Sequence, residues 1–393
     1  MRSFTCGHGM DVETLTSFAH LTAENLPLLE HVRVFTHALG RLINNAPALR
    51  NLHVTNNSSN TLFTSLSSVD WSLLTHLRVG EASTVAFIRE IATRCTSIIS
   101  LILDHHRFDS YYEPDSDDSD SEEGGSIQTR TTANPIEWQS LRNLTVTFDG
   151  SQTIADRRAP MDDNQVSRDF NRRIIETLES IRTPGLTSLE VNVRDSYDGN
   201  RVYQLAAQST PFEGLISRSQ CRINRLKIDL PRTLSVEALL RSLRPLESLQ
   251  FLAIGAKFCN GHSGDLYGHR ARGWCSQLFR ALALPSESES EDLVERREIC
   301  PELKVIEVEG CFADEATAII DFAMSRPKLG VLKAEFGIPL PEEVNLLLAS
   351  QEAVQVMREE KGMQVSWTWT EYIYKAASAR TPRGRKLSVP GWW

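Results

Sequence analysis

The stretch Leu186-Thr187-Ser188-Leu189-Glu190-Val191 contains the pattern that decides the fold, which is Leu-x-x-Leu-x-Val. Apolar residues return with this spacing nine more times along the chain. The other copies begin at Leu29, Leu49, Leu74, Ile98, Leu141, Ile223, Leu249, Leu303 and Leu329. Successive copies are 20 to 54 residues apart at the middle apolar position. The chain therefore repeats one structural unit, with insertions of different length between the copies.

Each copy predicts a short β-strand, because its last two apolar residues alternate with polar neighbours. One such strand buries little apolar surface, whereas ten strands side by side form a parallel sheet over a continuous core. The segments between strands have helical spacing, as in Val85, Ile88 and Ile91 after the capping residue Ser83. Similar helices are expected before the strands at Leu186, Leu249 and Leu329. The sequence thus predicts an α/β fold.

The repeat resembles the leucine-rich-repeat family, and more closely the irregular, helix-containing repeats of fungal F-box proteins. The resemblance covers residues 28–337. It implies an irregular horseshoe-shaped solenoid with a parallel sheet on the concave face and helices on the convex face. The asparagine that many such repeats place three residues after the last apolar position is present only as Asn57, which predicts a distorted solenoid. No F-box is recognised in the roughly 25 residues ahead of Leu28.

The domain organisation follows from this pattern. A short lead covers residues 1–27 and the repeat array covers residues 28–337. Insertions at 107–135 and 256–300 interrupt the array. Residues 338–377 are expected to form a C-terminal helix and a capping strand that carries Trp367 and Trp369, and residues 378–393 form a basic tail.

Composition excludes several classes of protein. With 41% hydrophobic and 24% charged residues the chain can bury a core, but it has no apolar run of roughly 20 residues, so no membrane partner is expected. The start of the chain lacks the apolar stretch of a secretory signal, which predicts a cytoplasmic or nuclear location. The net charge is −9, and seven acids between Glu113 and Glu123 supply most of it, so no nucleic-acid partner is expected.

The sequence predicts no enzyme, cofactor or metal. It contains no nucleophile elbow, phosphate loop, dinucleotide fingerprint or metalloprotease helix. Cys259, His262, His269 and Cys275 are ligand types that zinc accepts, but their spacing matches no recognised finger. A metal-dependent enzyme built on this insertion is the alternative from a different class. His105 and His106, followed by Asp109, are interpreted as surface residues rather than a catalytic pair.

Two further segments suggest regulation. Ser116, Ser119 and Ser121 lie among acids, as substrates of acidophilic kinases do, although a solvated loop without regulation is the simpler interpretation. Residues 286–292 form a second acidic, serine-rich stretch with the same two interpretations. The basic residues 380–386 are interpreted as a plain tail, with a nuclear address as the alternative.

The outward positions of the strands predict the surface that meets a partner. They are His31, Arg33, His53, His76, Arg78, Arg225, Lys227, Asp229, Glu307, Glu309, Lys333 and Glu335. Their charge runs from basic to acidic along the array, as expected for a protein-recognition surface, and solvated strand residues without a partner are the equally open alternative. The leading hypothesis is a protein–protein interaction module that recognises substrates for an F-box-type ubiquitin ligase, with a cullin-ligase adaptor as second partner. The alternative is a stand-alone repeat scaffold or sensor.

Overall fold

The structure is a computed structural model of the 393-residue chain. It describes residues 2–5, 28–34, 46–54, 63, 69–80, 85–106, 135–149, 178–194, 210, 212–229, 235–255, 273–284, 298–336 and 344–369. The predictions for Ser116, Ser119, Ser121, Cys259, His262, His269 and the tail after residue 377 lie outside these residues.

Parallel strands dominate the architecture. In the described residues twelve strands form one sheet, and their order in the sheet follows the chain. They are β1 (Ser3–Thr5), β2 (His31–Val34), β3 (Asn51–Val54), β4 (His76–Gly80), β5 (Ser100–His106), β7 (Asn143–Asp149), β9 (Ser188–Arg194), β10 (Arg225–Asp229), β11 (Phe251–Gly255), β12 (Val305–Cys311), β13 (Val331–Phe336) and β14 (Gln364–Trp369). A strand lies at each of the ten repeat positions, so the chain has a solenoid-like α/β layout.

The strands pair in register, which aligns equivalent repeat positions into rows across the sheet. Leu189 of β9 lies opposite Leu144 of β7 on one side and Leu226 of β10 on the other. These side chains are fully buried. The leucine or isoleucine that opens each copy is also buried just before its strand, as Leu186 and Ile223 are. The three apolar positions of the repeat therefore supply three rows of core residues.

Six helices are described. They are α1 (Val85–Arg94), α2 (Glu213–Ser219), α3 (Val236–Leu243), α4 (Trp274–Leu282), α5 (Ala316–Ser325) and α6 (Val344–Glu360). As predicted, Ser235 caps α3, because its hydroxyl accepts a hydrogen bond from the Ala238 backbone N–H at 3.1 Å. The apolar helix faces join the inward rows of the sheet in one core cluster. No helix within the described residues has the length and apolar character needed to cross a membrane.

Several elements were not predicted from the sequence. β1 pairs with β2 and adds a strand within the segment interpreted as a lead. A separate pair, β6 (Ile136–Glu137) and β8 (Ile181–Arg182), lies outside the main sheet, beside the buried Trp138. At the other end, where the sequence did predict a capping strand, β14 pairs in parallel with β13, and Trp367 packs against Phe336 with ring centroids 4.6 Å apart.

Candidate functional site

The candidate site is the outer face of the main sheet, which we define as the face opposite the buried Leu and Val rows. Two outward rows begin at His31 and Arg33. Because the strands are in register, His31 lies opposite Asn51, and Arg33 lies opposite His53. The next strand continues the rows with His76 and Arg78. Side chains that are far apart in the sequence therefore lie side by side on this face.

A groove of about 260 Å³ occupies the N-terminal end of the outer face. We call it the N-terminal groove. The polar residues that line it are Ser3, Thr5, His31, Arg33, Asn51, His53, His76, Arg78 and Ser100, and the apolar residue Ile102 lines it as well. All five residues that the sequence predicted for this part of the surface line the groove. Sequence reasoning missed the contribution of Ser3 and Thr5, because it did not predict β1.

The groove is basic. Arg33 and Arg78 supply two guanidinium groups, and three imidazoles lie around them. Two acids lie beside the groove: Asp104 of β5 forms an ion pair with Arg78, and Glu30 Oε2 lies 3.8 Å from His31 Nε2. An arginine held by one carboxylate still has N–H donors for a second acceptor, since the guanidinium group carries five of them. The groove is therefore suited to a carboxylate or another anion.

His53 lies at the centre of the groove and is the most perturbed titratable group there. Burial, followed by the charges of Arg78 and Arg33, lowers the pKa of His53 to about 4, although the charge of Asp104 opposes this shift. Its Nε2 atom is buried and has no hydrogen-bond partner among the described residues. His53 is therefore neutral at pH 7 and can accept a proton when an anion enters the groove.

The middle of the outer face is internally paired. The Lys227 Nζ atom lies 2.8 Å from Glu190 Oε1, and the Asn192 amide donates to the same carboxylate at 3.1 Å. Burial alone would raise the pKa of Glu190, but the hydrogen bonds from Lys227 and Asn192 lower it below its usual range. The hydrogen bond to Glu190 in turn raises the pKa of Lys227. Both groups are charged at neutral pH and held by each other.

The guanidinium group of Arg225 stacks on the ring of Phe251 in the neighbouring strand, with 3.6 Å between the guanidinium carbon and the ring centroid. Asp229 occupies an outward position but is only 8% exposed, so it does not present the open acidic side chain that the sequence predicted. Its carboxylate lies against the backbone of Gly255, where an added Cβ would meet Asp229 Oδ1 at 3.0 Å. Glycine at this position leaves room for the carboxylate.

The C-terminal end of the outer face carries more acids than bases. Glu307 pairs with Lys333 on the next strand at 2.5 Å. Glu309 is exposed and Glu335 is half-buried. The predicted change from basic to acidic positions is thus present in the order of the strands, but ion pairs across neighbouring strands reduce the free charge. Alignment of the repeats in register, which places Glu190 beside Lys227 and Glu307 beside Lys333, would have revealed these pairs.

The remaining predicted residues do not join this face. Trp367 continues an inward, partly buried row rather than the outer face. His105 and His106 end β5, and Asp109 lies outside the described residues. Cys275 is the second residue of α4, where it is buried beside Cys311 and Glu315, two residues that sequence reasoning did not connect with it.

Comparison with known proteins gives little to add to this description. The sequence matches no protein-family model and no curated protein. Among solved structures, the chain is similar to a Bacteroides fragilis protein from a structural genomics consortium, with 11% identity and a TM-score of 0.33. The alignment covers 81% of this chain and 73% of that one. Because the TM-score is so low, this similarity establishes neither the fold nor the function of the chain.

Proposed function

We propose that this chain is a protein-recognition module of the leucine-rich-repeat type and that it acts by binding alone. The observation that carries the proposal is the N-terminal groove, where two arginines and three histidines project from consecutive strands and outnumber the two neighbouring acids, Asp104 and Glu30. Stacked repeats with helices on one face of the sheet present the other face as an extended binding surface. The repeat spacing and the in-register rows support the leucine-rich-repeat assignment.

The partner that fits the groove is an acidic segment of another protein. Arginine forks bind carboxylates with two parallel hydrogen bonds, and His53 adds a donor once it is protonated. A long polyanion such as a nucleic acid fits less well, because it would have to pass the carboxylates of Glu307, Glu309 and Glu335 on the same face. Complementary charge at one end of the face would fix the orientation of the partner.

Affinity purification of the full chain from its native cell extract, followed by mass spectrometry, identifies the partner. Binding of that partner is then compared for wild type, Arg33→Glu and Arg241→Glu. Arg241 is an exposed residue of α3, so its reversal makes the same charge change away from the outer face. We expect Arg33→Glu to weaken binding at least about tenfold, as the loss of a charged hydrogen bond does, and Arg241→Glu to leave it unchanged. Equal affinities of all three proteins would refute the proposal.

Proton uptake gives a second test of the same site. An anion beside His53 raises the pKa of the imidazole from its low value in the free protein. The complex then binds a proton that the free chain does not, so affinity should rise as the pH falls from 6.5 towards 4. His53→Gln should remove this part of the pH dependence. A pH profile that is the same for wild type and His53→Gln would contradict a role for His53.

The sequence resemblance extends this proposal to substrate recognition for an F-box-type ubiquitin ligase, with a cullin-ligase adaptor as a second partner in the cytoplasm or nucleus. A stand-alone scaffold or sensor is the competing version. Recovery of the adaptor with the purified chain would support the ligase version. Recovery of an acidic partner without the adaptor would support a stand-alone recognition module and exclude the ligase role.

A further inference from the structure

A buried cluster on the helical side of the sheet has no role in the proposed recognition surface. Cys275 is the second residue of α4, Cys311 ends β12, and Glu315 lies in the short turn of 3-10 helix, Ala313–Glu315, that leads into α5. All three residues are fully buried. One ligating atom from each residue lies within 4.8 Å of the others, although 36 to 40 residues of chain separate Cys275 from its two neighbours.

Backbone groups hold the Glu315 carboxylate in place. Its Oε1 atom accepts a hydrogen bond from the Cys275 N–H at 2.9 Å, and its Oε2 atom accepts one from the Phe312 N–H at 2.8 Å. These two hydrogen bonds fix the orientation of the carboxylate at the N-terminus of α4. An ionised carboxylate has about four acceptor sites, so two backbone hydrogen bonds do not by themselves prevent it from binding a cation.

The two thiols fit a metal of a particular kind. A tetrahedral zinc ion with Zn–S bonds of about 2.3 Å holds two thiolate sulfurs about 3.8 Å apart. The Sγ atoms of Cys275 and Cys311 are 3.7 Å apart. Two sulfurs and one carboxylate oxygen match the ligand preferences of zinc, and not those of magnesium or calcium, which bind oxygen alone.

We propose that Cys275, Cys311 and Glu315 form a structural zinc site that ties α4 to the strand and turn of the next repeat. Binding releases the two thiol protons to solvent. The two thiolates, the carboxylate and the Zn²⁺ ion together then carry a net charge of −1. The described residues supply three ligands, and a water molecule or a further side chain completes the tetrahedron. This site is independent of the proposed function, because it lies on the side of the sheet away from the outer face.

The test uses the full chain, reduced and stripped of metal, and titrates it with Co²⁺. A cobalt–thiolate charge-transfer band that Zn²⁺ then abolishes is the expected result. Zinc X-ray absorption of the wild-type chain should show two sulfur ligands at about 2.3 Å and no third sulfur. This second measurement needs no variant, so it holds even if a substitution in the buried cluster prevents folding.

Variants locate the site. Cys311→Ser and Glu315→Gln should each weaken zinc binding by more than about a hundredfold, which is beyond the loss usually seen when an outer-shell partner is removed. Two controls should bind as the wild type does: Cys300→Ser, which changes a buried thiol outside the cluster, and Cys259→Ser, which changes the insertion. Absence of the band, loss of binding in Cys259→Ser, or a Cys275–Cys311 disulfide as the stable form in reducing buffer would each overturn the proposal.

Discussion

Arg326 should be the polar side chain on which the C-terminal repeats depend most. It is 3% exposed and lies just after α5. Its Nε atom donates to the Leu282 carbonyl at 2.9 Å, and its Nη atoms donate to the carbonyls of Ile299 and Cys300 at 2.8 and 3.3 Å and to the Glu298 carboxylate at 2.5 Å. One guanidinium group thus connects the end of α4, the segment before β12 and the end of α5.

The cost of Arg326→Met can be worked out from these contacts. Methionine keeps most of the apolar stem but leaves three buried carbonyl oxygens without their donor, at about 1 kcal/mol each. Loss of the Glu298 pair adds less, because that carboxylate is 36% exposed and water can solvate it. We therefore expect Arg326→Met to reduce the free energy of unfolding by about 3–4 kcal/mol.

Urea unfolding followed by circular dichroism and by tryptophan fluorescence measures this loss. Lys328→Met is the matched control, since Lys328 lies two residues away in an exposed ion pair with Glu302. The control should unfold at nearly the wild-type urea concentration, whereas Arg326→Met should unfold at a clearly lower one. If both variants unfolded together with the wild type, the buried network would contribute no stability and the reasoning would be wrong.

Three further outcomes are expected. Leu226→Ala removes a fully buried side chain from the central row of the sheet and should cost about 2–5 kcal/mol in urea unfolding, and a cost below 1 kcal/mol would mean that the row is loosely packed. Burial raises the pKa of Cys95 and of Cys300 to about 12, so iodoacetamide at pH 8 should label neither in the native chain and both after denaturation, as peptide mass spectrometry would show. The folded-state pKa of His53 is about 4, against an ordinary value of 6.5, so the unfolded chain binds a proton that the folded chain does not. Stability should therefore fall between pH 6.5 and pH 4, and His53→Gln should lose less stability than the wild type over that interval.

The strands were predictable because each copy of the repeat carries its own signal. Leu141, Leu144 and Val146 show which residues face the core without any knowledge of the neighbouring repeats, and all three are buried. Helix α3 was predictable for the same reason, since Ser235 and the apolar residues that follow it are local. The strand β1 was not predictable, because three residues are too few to show a period of two.

The chemistry of the surface was only partly predictable. The pattern identified which side chains face outward, as at Arg33 and Arg78, but exposure and pairing depend on the next strand. The burial of Asp229 depends on Gly255, and the charge of Lys227 is held by Glu190. Contacts between different repeats, such as Cys275 with Cys311, have no signature in a single copy.

The order of strands along the sheet also determines how the molecule would respond to force. Among the described residues, each strand of the main sheet pairs only with the strand before it and the strand after it in the order of the sheet. Tension applied through β1 and β14, the edge strands of this part of the sheet, would therefore load one set of backbone hydrogen bonds at a time. Such a sheet peels open from its ends in steps rather than shearing as a whole. Arg326 connects the end of α4, the segment before β12 and the end of α5. The C-terminal repeats should therefore unfold together, at a higher force than the repeats beside them.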